Sequence, residues 1–222
     1  MPQRAEDRGA GDRHRNGGRL DHVFWIGGGS AAGTSTVARR LADEYGLQLY
    51  ATDDAVSRHA ATLTADDAPY LDRFRTMTMD ERWVDRGPRE MLDTFHWFRG
   101  EGFDRIVDDL LQLPTTPLVV VEGFRLLPHL VAPLLTDVRH AVWLLPTPAF
   151  RRAAIESRGT TWDIAGRTSD PPRALENLLA RDHLFTARVG VEARRLGLQV
   201  VEVEVGMRED ELVTAVAALL PL

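Results

Sequence analysis

The chain has 222 residues, with 33 acidic against 27 basic side chains and a formal net charge of -6. That length holds one α/β domain with a full core, and the acidic balance argues against a nucleic-acid partner, which asks for a basic face. Cysteine is absent, which excludes disulfides, a thiol nucleophile and cysteine-ligated metal; lysine is absent too, which excludes Schiff-base chemistry by the protein.

Residues 1–21 are rich in Arg, Asp and Gly without an apolar run. They are expected to form a disordered tail and not a signal peptide. The folded domain is expected over 22–222. No apolar stretch approaches membrane-spanning length, so the expectation is a cytoplasmic protein without a membrane partner.

The apolar run 23–26 predicts a first strand. It feeds Gly27-Gly28-Gly29-Ser30-Ala31-Ala32-Gly33-Thr34-Ser35-Thr36. A helix follows, with Val37, Leu41 and Tyr45 recurring every four residues. A strand, a glycine turn and a helix N-terminus together make a phosphate cradle, because backbone N–H groups and the helix dipole converge on an anion. The spacing from Gly28 to Gly33, then Thr34 and Ser35, is that of a P-loop, with Thr34 where the lysine belongs. Gly28, Gly29, Ser30, Ala31, Ala32, Gly33, Thr34, Ser35 and Thr36 are therefore candidate nucleotide contacts, and Ser35 a candidate Mg²⁺ ligand. The same turn also fits a G-x-G-x-x-A dinucleotide fingerprint. Ser30 as an esterase nucleophile is disfavoured by Ala32 in place of glycine.

A second strand is predicted over 47–51. Asp53 and Asp54 follow it, at the strand edge that carries ligands in an open parallel sheet. Either carboxylate suits a proton acceptor for a hydroxyl. Asp53 also suits a helix N-cap, which favours Asp54 for the chemistry. On the dinucleotide reading, one of them would be the ribose-binding acid. The stretch 55–116 is long, helical and rich in aromatics, and is expected to be a substrate-binding insertion. Within it, Pro88 opens a helix reaching toward Leu113, with Met91, Leu92, Phe95 and Phe98 on one face. Trp83, Trp97 and Phe98 are expected in the core.

The run 118–121 predicts a central strand buried on both faces, ending at Glu122-Gly123. Glu122 is a candidate Mg²⁺-side acid, and Arg125 a candidate phosphate or substrate contact. A fourth strand covers 141–145. Thr147-Pro148 opens a helix to residue 157, whose Arg151 and Arg152 are expected to be solvated. The segment 158–171 is a candidate lid, with Arg158 and Arg167 placed to steady charge on a moving phosphoryl group. A helix over 171–196, a strand over 200–205 and a helix over 208–219 close the chain.

Alternating strands and helices imply an α/β fold with a five-stranded parallel sheet in a three-layer sandwich. The glycine loop, the acids after the second and third strands and the later arginines resemble the P-loop nucleoside and small-molecule kinases. The chloramphenicol-phosphotransferase-like and uridine-kinase-like enzymes are the most similar. The resemblance runs from Val23 to about Leu219. It implies ATP or GTP in the loop, Mg²⁺ on Ser35 and Glu122, and Asp53 or Asp54 as acceptor-side base. It also implies Arg125, Arg158 or Arg167 near the phosphates, and the loop at Gly206 against the nucleotide base. The acceptor would be a small metabolite, nucleoside or antibiotic, and the protein a monomer or homodimer. Thr34 departs from that family. It leaves three outcomes: an arginine replaces the lysine, nucleotide binds without efficient transfer, or the loop serves another chemistry. A nicotinamide-dependent oxidoreductase is the remaining alternative.

Overall fold

The computed structural model describes residues 19–158 and 163–222, the side chains of Ile155 and Arg158 excepted. In chain order the elements are β1 (Val23–Gly28), α1 (Thr34–Tyr45), β2 (Gln48–Ala51), α2 (Val56–Thr62), α3 (Pro69–Thr76), α4 (Met79–Trp83), α5 (Pro88–Thr94) and α6 (Phe103–Gln112). There follow β3 (Val119–Glu122), α7 (Pro128–Val131), β4 (Ala141–Pro146), α8 (Pro148–Arg158), α9 (Pro171–Arg195), β5 (Gln199–Val203) and α10 (Glu209–Ala217). All strand pairings are parallel, in the order β2-β3-β1-β4-β5. The expected α/β fold with a five-stranded parallel sheet is the one observed.

Strand alternation splits the core between two faces. Val23, Trp25, Val121 and Trp143 point to one side, where Ile106 and Leu110 of α6 and Phe185 and Val189 of α9 cover them. Phe24, Ile26, Val120 and Val142 point to the other, against Val37 and Leu41 of α1 and Leu212 and Val216 of α10. Each such side chain, fully buried, contributes about 1.5–3 kcal/mol of transfer free energy. Among the described residues no helix is long and apolar enough to cross a membrane.

Four expectations need correction. β1 runs on through Gly27 and Gly28, because Gly27 has no Cβ to collide with the Trp143 indole, whose N–H donates to the Leu126 carbonyl oxygen at 2.8 Å. Leu20, assigned to the tail, is buried in the core, while residues 1–18 lie outside the described chain. The helix expected from Pro88 toward Leu113 is broken. α5 ends at Thr94, a 3-10 turn covers His96–Arg99, and α6 starts after Gly102. Gly100 and Gly102 both take left-handed φ, 82° and 72°, which a helix interior does not accommodate. β5 stops at Val203, so Glu204 and Val205 belong to the turn before α10.

The sheet order bears on the dinucleotide reading. In that fold β2 lies beside β1; here β3 separates them. The acid next to the glycine loop is therefore Glu122, and Asp53 stands one strand further away.

Candidate active site

The loop after β1 is held open by backbone geometry. Gly28 has φ 155° and a Cβ there would strike the Leu144 carbonyl oxygen. Gly33 (φ 87°) and Ala31 (φ 57°) are left-handed, and left-handed φ is uncommon for a residue with a side chain. Gly33 is the N-cap of α1, with no side-chain cap and no acid in the first turn. The first-turn N–H groups of α1 thus keep their affinity for an anion.

Glu122 ends β3 in register with Ile26 of β1 and Ala51 of β2. Its carboxylate accepts from the Thr34 hydroxyl at 2.8 Å and from the Ser35 hydroxyl at 3.0 Å. Burial raises its pKa above the usual carboxylate range; the two hydroxyls work against the rise, and the charges of Asp53 and Asp54 add to it. A hydroxyl and a buried acid side by side are hard oxygen donors of the kind Mg²⁺ takes. The loop and this pair fit a nucleotide phosphate and its cation. Thr34 does not replace the missing lysine, since its hydroxyl is turned to the acid.

A cavity of about 310 Å³ starts at Gly29, Ser30, Ala31 and Gly33–Thr36 and continues past Asp53, Glu122 and Gly123. Its far wall is aromatic: Phe74, Trp83, Phe95, Trp97 and Phe98, with His96 among them. These rings are packed edge to face, Phe74 on Trp83 at 5.7 Å and Phe95 on Phe98 at 4.8 Å. Trp83, Trp97 and Phe98 are buried as expected, and they also face the cavity. The His96 ring is driven down to a pKa of about 3, first by burial and then by nearby arginines. It is neutral at physiological pH, and its Nδ1 is buried without a hydrogen-bond partner.

The remaining expected residues are distributed unevenly. Asp53 and Asp54 are both exposed; Asp53 lines the cavity and Asp54 does not. The helix that Asp53 was expected to cap begins later, with Ala55 as its N-cap, which removes the ground on which Asp54 was preferred. Gly28 and Ala32 lie just behind the cavity-lining part of the loop. Arg125 is buried and off the cavity wall. It donates to the carbonyl oxygens of Thr52 at 3.4 Å and Gly102 at 3.2 Å, and lies 4.3 Å above the Trp97 ring. Arg167 is exposed and off the cavity wall. The Arg158 side chain and residues 159–162 of the expected lid lie outside the described residues. Gly206 is left-handed, φ 95°, in the turn between β5 and α10 and off the cavity wall. Arg151 is buried, and its guanidinium reaches Asp182, which corrects its expected solvation.

Sequence reasoning missed Arg181 and His96. Arg181 lines the cavity. A signal was present: Ala174, Leu178, Phe185 and Val189 form the buried stripe of α9, and Arg181 and Asp182 fall on that stripe. A charged pair on an apolar helix face marks a buried polar site.

No family model and no curated protein matches the chain. Solved structures similar to the chain at low identity include the following two. One is an uncharacterized protein from Eubacterium ventriosum, 14% identical with a TM-score of 0.42, covering 88% of this chain and 96% of that one. The other is a deoxyadenosine kinase from M. mycoides with bound dATP, 8% identical with a TM-score of 0.46, covering 88% and 97%.

Proposed function

We propose that the protein transfers a phosphoryl group from ATP or GTP to a hydroxyl of a small acceptor held against the aromatic wall. The observation that carries this reading is the continuity of the cavity. One space runs from the phosphate loop, past Glu122 and Asp53, to the rings of Trp83, Phe95 and Phe98. Donor and acceptor would meet in it, and holding two reactants in one site is the larger part of phosphoryl-transfer catalysis.

The reading gives each group at the cavity a role. The backbone of Gly29–Thr36 and the N-terminus of α1 hold the nucleotide phosphates. Ser35 and Glu122 would hold Mg²⁺, which when bound would neutralise charge on the phosphate oxygens. Asp53, at the cavity wall beyond β2, takes the proton of the acceptor hydroxyl. The aromatic wall excludes water and favours a flat or apolar acceptor.

Nucleotide release from ATP or GTP, measured across a panel of nucleosides and hydroxylated aromatic compounds, tests the reading. Asp53→Asn is expected to lower turnover about 10²–10⁴-fold, the usual worth of a general base, and to leave ATP affinity within about threefold. Binding of ATP with no turnover on any acceptor would favour a nucleotide-binding protein with lost or altered chemistry. Binding of NAD or NADP alone would move the assignment to an oxidoreductase.

A further inference from the structure

Thr34 leaves the phosphate loop without its cation, and the structure offers few replacements. Arg125 is committed to the Thr52 and Gly102 carbonyl oxygens. Arg167 is exposed and off the cavity wall. Among the described residues, Arg181 is the only arginine that lines the cavity.

We propose that Arg181 supplies the positive charge the loop lacks, gripping the terminal phosphate of a bound nucleoside triphosphate through its Nη1. The proposal rests on the phosphotransfer reading above. Three observations carry it. First, Arg181 is nearly fully buried and rigidly held. Its Nε and Nη2 donate to Asp182 Oδ1 at 3.0 and 2.7 Å, and its guanidinium sits 4.8–5.2 Å from the ring centres of Trp83, Phe95 and Phe98. Second, Nη1 is buried and has no hydrogen-bond partner. A buried guanidinium N–H without an acceptor is costly, and a phosphate oxygen in the adjoining cavity is the acceptor it fits best. Asp182 is also shared with Arg151, so it offsets only part of the charge on Arg181.

Third, α9 is in contact with the loop itself. A Cβ on Gly29 would run into Thr186 Oγ1, which fixes that residue of α9 against the loop. Arg181 stands five residues earlier, about 7.5 Å along the axis at 1.5 Å per residue. A helix that leads into a parallel strand runs antiparallel to the strands, so its N-terminal half lies toward their carboxyl edge. Arg181 is therefore displaced toward the ligand edge of the sheet, about 140° around the axis from Thr186 and on the face of α9 that lines the cavity.

The experiment is equilibrium binding of ATP, ADP and inorganic tripolyphosphate to the wild-type chain and to Arg181→Gln, Thr34→Lys and the double variant. Wild type is expected to prefer ATP and tripolyphosphate over ADP. Arg181→Gln should lose about 10- to 100-fold in affinity for the triphosphates, as expected for a charged hydrogen bond, and much less for ADP. Thr34→Lys should restore most of that loss in the Arg181→Gln background, yet add less than about threefold where Arg181 is present. Unchanged triphosphate affinity in Arg181→Gln overturns the proposal. A hundredfold tightening by Thr34→Lys alone also overturns it, and stands even if Arg181→Gln does not fold. Failure of the wild-type chain to bind any triphosphate removes the phosphotransfer reading itself, and this inference with it.

Discussion

At the scale of single residues, substitutions at the loop separate geometry from charge. Gly28 is needed for its backbone, since it combines φ 155° with a carbonyl oxygen where a Cβ would go. Gly28→Ala should therefore lower stability by about 1–3 kcal/mol, the usual worth of a forced backbone. A thermal melt should show a fall in Tm of several degrees. An unchanged Tm would mean that β1 and β4 can part at that point without loss. His96 acts through its protonation state. Its folded pKa lies near 3, below the unfolded value of 6.5, so the unfolded chain binds the extra proton. Stability from this residue is complete above about pH 6.5 and is lost as pH falls toward 3, by up to about 1.4 kcal/mol per pH unit. His96→Phe should flatten the acid limb of a denaturation profile by that slope. An identical limb in the variant would place the titration elsewhere, on carboxylates such as Asp109, whose pKa is held low chiefly by its hydrogen bond to Arg58.

At the scale of elements, what was readable from the chain was what is encoded locally. The strands are found within two residues of their expected places because runs such as Val119-Val120-Val121 carry their own signal. The loop was legible for the same reason: glycine spacing and the onset of α1 adjoin in sequence. The α5–α6 break was not. Met91, Leu92, Phe95 and Phe98 keep a helical spacing, yet Phe95 is already extended and Gly100 and Gly102 then become left-handed. That turn also serves α3. Glu101, between the two glycines, accepts from the Tyr70 and Leu71 N–H groups at 2.9 Å each and so satisfies the first turn of a helix some 30 residues away. The choice between Asp53 and Asp54, and the roles of Arg125, Arg151 and Arg181, depend on contacts between distant segments. Residue type and spacing do not encode which arginine faces a cavity and which braces a wall.

At the scale of the whole molecule, the sheet and the helical insertion are joined by a buried polar chain that runs through Arg125. Its Nη1 lies 3.3 Å from His59 Nδ1. An arginine has no acceptor to offer, so Nδ1 must accept and Nε2 must carry the proton. His59 Nε2–H then donates to Asp109 at 2.7 Å, where Arg58 and Tyr50 also converge. Burial lowers the Arg125 pKa to about 10, which still leaves it charged at neutral pH. The chain ties the end of β2, helix α2, the turn at Gly102 and helix α6 into one unit beneath the aromatic wall. Arg125→Met should leave the Thr52 and Gly102 carbonyl oxygens and His59 without their donor, and lower stability by about 2–4 kcal/mol. Hydrogen exchange should quicken first across residues 56–112, ahead of β1 and α1, because the loosened part is the insertion. ATP affinity should hold, since among the described residues no residue of the glycine loop is a hydrogen-bond partner of Arg125 or His59. The opposite pattern, full exchange protection with weakened triphosphate binding, would return Arg125 to the phosphates and make the brace incidental.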